Sequence, residues 1–185
     1  MDHDQEKETI RSVLAGNRQA YALLVDAHKS AVFNLAWRMT GSASDAEDIA
    51  QETFLRAYDK LWRYDPRRRF FTWLYTITLN LSRNHLKWKQ QSASRESQWR
   101  AMKEQDDVQS READQPEGVL LEHERSRELQ AGLLELPADM REALILRFQD
   151  DRPFEDIAEI CGISLSAAKM RVYRGLEKLR NLLNS

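Results

Sequence analysis

Apolar residues repeat at helical spacing along most of the chain. Between Gly16 and Gly41 they recur at i, i+3, i+4 and i+7, which predicts an amphipathic helix. The residues of this stripe are Val32, Leu35, Ala36 and Met39. Ser44 and Glu47 have the spacing of a capping box, which predicts the start of a second helix. This helix is expected to run to about Leu61. No window sustains the alternation of a strand, so the sequence predicts an all-α fold.

The pattern changes in residues 93–118. This segment is polar, carries both signs of charge, ends in Pro-Glu-Gly and has little to bury. Such a composition is typical of a linker, either flexible or partly helical. Helical periodicity resumes at Val119, so we expect two small helical domains, residues 1–92 and residues 119–185.

Residues 73–89 have two distinct faces on a helical wheel. The apolar face carries Leu74, Ile77, Leu81, His85 and Trp88, and the polar face carries Thr76, Asn80, Arg83, Asn84 and Lys87. The polar face holds no acid, and its amides and cations suit base edges and phosphates. Just before this helix, Asp65 and Pro66 disfavour helical backbone, so a loop is expected over residues 64–69.

Aromatic and cationic residues crowd this loop and the helix start. They are Trp62, Tyr64, Phe70, Phe71, Trp73 and Tyr75, together with Arg67, Arg68 and Arg69. Aromatic faces stack on unpaired bases with about 1–3 kcal/mol each. In the alternative interpretation the aromatic residues belong to a core and the basic face is only solvated. An acid-free polar face beside a basic, aromatic loop favours single-stranded DNA as the ligand.

Residues 153–183 have the pattern of a helix-turn-helix. Pro153 suits a first helical turn, Gly162 permits the tight turn, and Ser164 can cap the second helix. The outward face of the second helix carries Ser166, Lys169, Met170, Tyr173 and Arg174, and Arg171 lies at its flank. In this motif such residues meet base edges in the major groove and nearby phosphates. The alternative is a plain pair of packed helices.

The distribution of charge adds to this picture, although the net charge is only −2. Residues 61–90 hold seven basic groups against one acid, and residues 164–185 hold five against one. Two basic patches can grip a polyanion at two places. Residues 42–59 instead hold five acids against one arginine, which indicates a solvated face or a docking surface for a basic protein.

Several classes of protein are disfavoured by composition. No apolar run is long enough to span a membrane, and the acidic, polar start lacks the order of a signal peptide. A single cysteine, Cys161, fits a reducing cytoplasm, and four scattered histidines give no metal-ligand spacing. No phosphate-binding glycine loop or nucleophile–base set is evident, so neither an enzyme nor a cofactor is expected.

Four stretches in this order resemble a bacterial sigma factor of the sigma-70 family, extracytoplasmic-function group. They are "DAEDIAQETFLRAY" (45–58), "FFTWLYTITLN" (70–80), "LPADMREALILRF" (136–148) and the helix-turn-helix. The resemblance covers nearly the whole chain. It implies a transcription initiation factor that directs core RNA polymerase to promoters, with a region 2 domain at 1–92 and a region 4 domain at 119–185. It also implies an anti-sigma factor as a regulator, and no direct insertion into a membrane.

The resemblance assigns roles residue by residue. The residues implied to dock on polymerase, where the partners are the β′ clamp helices and the β flap, are Asp45, Asp48, Gln51, Glu52 and Leu55. The residues implied to read and melt the −10 element are Tyr64, Arg67, Arg68, Arg69, Trp73, Thr76, Asn80, Arg83, Asn84 and Lys87. The residues implied to read −35 duplex DNA are Ser166, Lys169, Met170, Arg171, Tyr173 and Arg174. The loop "DPRRR" (65–69) is more basic than is usual in the family.

A stand-alone helix-turn-helix regulator is the alternative of another class. Its N-terminal helical domain would bind a protein or a small signal. It would bind duplex DNA without polymerase and show no preference for a single strand.

Overall fold

A computed structural model describes the backbone of residues 1–101 and 120–184, and the side chains of residues 1–93 and 126–184. Within these ranges the chain is helical and contains no strand, which confirms the all-α prediction. The helices are α1 His3–Leu14, α2 Tyr21–Thr40, α3 Ala43–Asp59, α4 Phe70–Ala101, α5 Leu120–Glu135, α6 Ala138–Phe148, α7 Phe154–Cys161 and α8 Leu165–Leu183. Short 3-10 turns at Arg18–Ala20 and Leu61–Arg63 precede α2 and the loop before α4.

Side-chain caps mark the starts of α1, α3 and α8, and one predicted cap was wrong. Helix α3 begins one residue after Ser42, whose hydroxyl accepts a hydrogen bond from the Asp45 backbone N–H at 3.3 Å. The predicted cap at Ser44 lies inside the helix instead, since the serine two positions earlier competes for the same role. The sequence analysis did not single out the capping box of α1, in which Asp2 and Gln5 satisfy each other's backbone N–H groups.

The apolar stripe of α2 is buried as predicted, and α2 ends at Gly41 in a left-handed conformation (φ 73°). Val32 lies in one core, Leu35 and Met39 lie in a second, and Ala36 lies in a small third cluster with Ala46 and Ile49 of α3. The first of these cores lies within the N-terminal half and joins α1, α2, α3 and the start of α4. Its members include Leu24, Val32, Phe54, Leu61, Tyr64, Phe70 and Leu74.

Helix α4 buries a wider face than the wheel predicts. Thr78, Leu79 and Ser82 are buried in addition to Leu74 and Tyr75. Trp88, predicted to be apolar-facing, has 63% of its surface exposed, so that prediction was wrong. The backbone of α4 continues to Ala101, and the rest of the segment expected as a linker lies largely outside the described residues. The domain bounds therefore stay a prediction.

The C-terminal part forms the predicted helix-turn-helix from α7 and α8. Gly162 adopts the left-handed conformation that the turn requires (φ 67°), and the Ser164 hydroxyl accepts a hydrogen bond from the Ala167 N–H. Ile157 and Ile160 of α7 pack against Ala168 and Val172 of α8 in the same core. Pro153 precedes α7 as its N-cap.

A second core is shared by the two halves of the chain. Leu35 and Met39 of α2 and Tyr75 and Leu79 of α4 lie in one cluster with residues of the C-terminal helices. The C-terminal members include Leu133, Leu136, Leu144, Ile145, Ile157 and Ile160. The two halves thus pack into one body, which we call the closed arrangement.

Candidate nucleic-acid interface

Residues 64–69 form the expected loop, and an ion pair orders it. The Arg67 guanidinium contacts both carboxylate oxygens of Asp65, with Nη2 to Oδ2 at 2.9 Å. Hydrogen bonds from the Arg67 side chain and backbone lower the pKa of Asp65 to about 2. The Tyr64 hydroxyl donates to the Arg68 carbonyl across the loop, and burial raises the pKa of Tyr64 to about 12. The loop is therefore pre-shaped without a ligand.

The aromatic residues around this loop divide into packed and accessible ones. Phe70 is fully buried, and its ring lies 5.6 Å from Tyr64 and 5.7 Å from Trp73, measured between ring centroids. Trp62 is 69% exposed, with the Arg63 guanidinium 4.8 Å from its ring. Tyr64, assigned to DNA from the resemblance, is thus mainly a core residue, while Trp62 presents an open face.

The polar face of α4 carries the predicted amides and cations. Asn80, Asn84 and Lys87 are exposed. Arg83 donates from Nη1 to the Asn80 side-chain oxygen at 3.0 Å, so these two neighbours hold each other in place. Trp73 and Thr76 are half-buried. The side-chain amides of Asn80 and Asn84 can therefore form hydrogen bonds with a nucleic acid at this face.

The same face of α4 also contacts the C-terminal helices. Arg83 Nε lies 2.7 Å from a carboxylate oxygen of Glu142, and Arg68 Nη1 lies 3.2 Å from one of Glu159. The Thr76 hydroxyl lies 3.4 Å from the Ile160 carbonyl oxygen. Sequence reasoning missed both acids as partners, because α6 and α7 are far from α4 along the chain and no local pattern marks such a contact.

Helix α8 presents its outer face to solvent, as the wheel predicts. Ser166, Lys169, Met170, Tyr173 and Arg174 are all exposed. Arg171, at the flank, is only partly exposed and pairs with Glu142 at 3.2 Å and Asp139 at 3.5 Å. The exposed set combines cations, a hydroxyl and an aromatic on one side of a helix, which is the chemistry of major-groove contact.

Helix α3 combines acids with an apolar groove. Asp48 and Gln51 are exposed, Leu55 is 63% exposed, and Glu52 pairs with Arg56. Two adjoining grooves of about 640 and 590 Å³ run between α2 and α3. Both are lined by Val25, Gln51 and Phe54. The linings are mainly apolar and include the charged residues Arg18, Lys29 and Glu47, so the grooves can accept the apolar face of a partner helix.

Asp45, at the N-terminal end of α3, differs from the other acids because it is already paired. Its Oδ2 atom lies 3.1 Å from both His85 Nε2 and Lys89 Nζ of α4. Burial acts to raise its pKa, but the bonds from Lys89 and His85 together hold that pKa below its usual value. Asp45 therefore joins α3 to α4, which fixes the acidic surface relative to the amide-bearing face.

Three further observations on the described residues concern metal ligands, membrane spans and the single cysteine. Among them, no group of three or more His, Cys, Asp or Glu side chains could hold a metal ion. No helix in the described ranges has the length and hydropathy needed to cross a membrane. Cys161 is partly buried in the shared core, and burial raises the pKa of its thiol to about 12, so it remains protonated near neutral pH.

The loop between α6 and α7 brings a carboxyl into the shared interface. Burial raises the pKa of Asp150 to about 6. Arg152 and Arg38 act against this shift, and the Tyr75 hydroxyl lies beside the carboxyl. The proton is bound more tightly in the folded than in the unfolded chain. The contribution of this proton to the free energy of unfolding is therefore fully present at low pH and is lost as pH rises through 6.

We expect Asp150→Asn to raise the melting temperature at pH 7.5 and to leave it unchanged near pH 4. The free energy of unfolding at pH 7.5 should rise by on the order of 1–2 kcal/mol, a figure already reduced for partial exposure of the carboxyl. This corresponds to a few degrees in melting temperature. Asp151→Asn is the matched control, since the Asp151 side chain is 98% exposed. Thermal unfolding at both pH values measures the effect. Equal melting temperatures for Asp150→Asn and the parent chain at pH 7.5 contradict it.

Two family models match the chain, Sigma-70 region 2 over residues 24–91 and Sigma-70 region 4 over residues 126–179. The sequence is 34% identical over 179 residues to the ECF RNA polymerase sigma factor SigW of Bacillus subtilis, covering 96% of each chain. It is 28% identical to the RNA polymerase sigma-H factor of Pseudomonas aeruginosa, over 99% of this chain and 96% of that relative.

Two solved structures with a similar fold are complexes of a protein with its partner. The sigma factor RpoE of Bartonella quintana, in complex with the anti-sigma factor NepR, has a TM-score of 0.63 at 26% identity. The match covers 89% of this chain and 96% of that one. CnrH, in complex with the cytosolic domain of CnrY, has a TM-score of 0.71 at 24% identity and covers 99% and 98% of the two chains.

Proposed function

Because this chain belongs to the extracytoplasmic-function group of the sigma-70 family of sigma factors, we propose how its surfaces divide the work of promoter recognition. The acidic surface of α3, with the apolar groove beside it, docks on the clamp helices of the polymerase β′ subunit, and the C-terminal domain meets the β flap. The outer face of α8 reads −35 duplex DNA. The loop at residues 64–69 and the amide face of α4 capture the −10 strand.

The exposed face of α8 is the observation that carries this proposal. Its cations, hydroxyl and aromatic ring point into solvent from a correctly capped helix-turn-helix. At the −10 element, binding energy is realised only when bases leave the stack, so the contacts favour the melted state over the duplex.

Reconstitution with core RNA polymerase tests the function as a whole. Promoter-specific transcripts are expected only when the full chain is added to the core enzyme. A stand-alone helix-turn-helix regulator would instead bind duplex DNA without polymerase and start no transcripts. That outcome would overturn the proposed function.

Charge reversal on α3 is expected to weaken binding to core polymerase by about tenfold. Asp48→Lys and Glu52→Lys each place a cation on a surface proposed to face a basic partner, where like charges cost binding energy. Glu8→Lys is the matched control, because Glu8 is an exposed acid on α1. Equilibrium binding to labelled core enzyme measures the effect. An affinity equal to that of Glu8→Lys would mean that the acidic face of α3 is only a solvated surface and does not bind polymerase.

Removal of cations from α8 is expected to weaken −35 duplex binding. Lys169→Ala and Arg174→Ala should each cost about 1–3 kcal/mol if they contact bases, and should lower the salt dependence if they contact phosphates. Lys178→Ala, an exposed cation further along the same helix, serves as the control. Footprinting of the polymerase complex at several salt concentrations measures this. Equal losses for all three variants contradict a specific role for the N-terminal part of α8.

An anti-sigma factor is proposed as the regulator of this chain. The fold matches a sigma factor that was solved with its anti-sigma partner over 89% of this chain. The open groove between α2 and α3 offers such a partner an apolar binding surface. A bound anti-sigma factor there would compete directly with polymerase.

A further inference from the structure

The side chain of Phe154, the first residue of α7, lies against two residues of the exposed face of α8. We propose that Phe154 is a positioning residue for −35 recognition, and that its ring holds Lys169 and Tyr173 in place before DNA arrives. The inference rests on the proposed function of α8. It adds that the orientation of the DNA-reading side chains depends on a residue of the other helix of the motif.

The Phe154 ring is itself held in place by the shared core and by a cation of α6. Phe154 is half-buried and packs against the core. The Arg147 guanidinium lies 5.3 Å from the centroid of its ring. Arg147 Nη1 also donates to the Arg152 carbonyl at 3.1 Å and lies 3.7 Å from Asp151 Oδ1, so this cation is anchored in turn. The ring is therefore a pre-set surface for the residues of α8 that contact it.

Lys169 and Tyr173 contact this ring from α8. The Lys169 Nζ atom lies 5.8 Å from the centroid of the Phe154 ring, a distance at which an aromatic face attracts a cation. The Tyr173 ring centroid lies 6.2 Å away with an interplanar angle of 40°, within the range of favourable aromatic pairs. Four positions separate the two residues, so they are neighbours on one face of the helix. Both stay exposed, so the contact orients them and leaves them accessible to DNA.

Order in these side chains before binding should tighten the complex with DNA. A lysine side chain that is free in solution loses rotamer freedom when it binds, and this loss weakens affinity. A contact that restricts the side chain beforehand reduces the loss on binding. Among the described residues, the cations over the Phe154 ring are Arg147 and Lys169, and Arg174 of the same α8 face is not one of them. The influence of Phe154 should therefore reach DNA through Lys169 and Tyr173, and not through Arg174.

The test is the affinity of the complex between the full chain and core polymerase for a labelled duplex that the parent complex selects from a randomised pool. Phe154→Leu keeps an apolar side chain against the core but removes the ring, and should raise the dissociation constant by about fivefold. Phe154→Tyr is the matched control, because it retains the ring and should raise the constant by less than about twofold. Equal dissociation constants for the two variants overturn the proposal.

Two further backgrounds distinguish positioning from a purely structural role. In a chain that carries Lys169→Ala and Tyr173→Ala, Phe154→Leu should raise the dissociation constant by less than about a further twofold, because the residues that it orients are gone. In the Arg174→Ala background, Phe154→Leu should keep its full effect of about fivefold. A loss of equal size in both backgrounds means that Phe154 only stabilises the fold, and the proposal fails.

The same measurements separate this inference from the proposed function. If Lys169→Ala and Arg174→Ala both leave the dissociation constant unchanged, the −35 role of α8 fails. If they raise the constant and Phe154→Leu does not, the −35 role stands and only the positioning is wrong.

A measurement on the parent chain does not depend on how the variants fold. In its NMR spectrum, the ring current of Phe154 should move the ε-methylene proton resonances of Lys169 upfield of those of Lys178, an exposed lysine of the same helix. Phe154→Tyr should retain this displacement. Resonances at the same position for the two lysines of the parent chain overturn the proposal.

Discussion

Replacing Phe70 by alanine is expected to lower the free energy of unfolding by about 3–5 kcal/mol. Phe70 is fully buried at the first position of α4, and its ring packs against Tyr64, Trp73 and His28. Alanine would leave a cavity lined by rigid rings that cannot easily close around it. For a chain of this size the loss corresponds to roughly 10 °C in melting temperature.

Trp62→Ala is the control that tells a packed ring from an accessible one. Trp62 is 69% exposed, so its removal should change stability by less than about 0.5 kcal/mol. Urea unfolding followed by circular dichroism measures both variants. If Phe70→Ala proves as stable as Trp62→Ala, the division of these aromatic residues into core and surface is incorrect.

Arg141→Ala is expected to have the second large effect, a loss of about 3–5 kcal/mol. The Arg141 guanidinium is buried between the two halves of the chain and donates to the backbone carbonyls of Met39, Leu134 and Leu136. These carbonyls lie at or just beyond the C-terminal ends of α2 and α5, where the helix dipole favours a cation. Alanine would leave three carbonyls without their donor.

Arg141→Lys should recover only part of that loss, because an ammonium group lacks the planar fork that serves several carbonyls at once. Arg180→Ala removes an exposed cation from α8 and should be nearly neutral. Thermal and urea unfolding of the three variants give the comparison. A loss below about 1 kcal/mol for Arg141→Ala would mean that water replaces the guanidinium.

The local parts of the fold could be predicted because their signals are local. Gly162 and Ser164 lie in the turn and cap that they specify, and the exposed face of α8 follows directly from helical spacing. The cap of α3 was placed two residues late, since Ser42 and Ser44 are both good caps and only one can be first. Helix boundaries of this kind depend on competition between neighbouring residues.

The contacts between the halves could not be predicted in the same way. From the sequence, Tyr75 is one more aromatic residue near the basic loop, yet it is buried against the C-terminal helices. Glu142 reads as an ordinary acid in an amphipathic helix, yet it is fully buried between two arginines. Both outcomes depend on how distant helices pack, which neither periodicity nor charge spacing encodes.

The shared core has a consequence for the lifetime of the protein in the cell. Opening the chain uncovers Leu35, Met39, Tyr75 and Leu79, an apolar surface that proteases and chaperones recognise and that promotes aggregation. A chain whose halves have separated is therefore expected to be degraded faster than a closed one. The packing between the halves thus limits the abundance of open chains. A variant whose halves stay apart should reach a lower steady-state level in the cell than the parent chain.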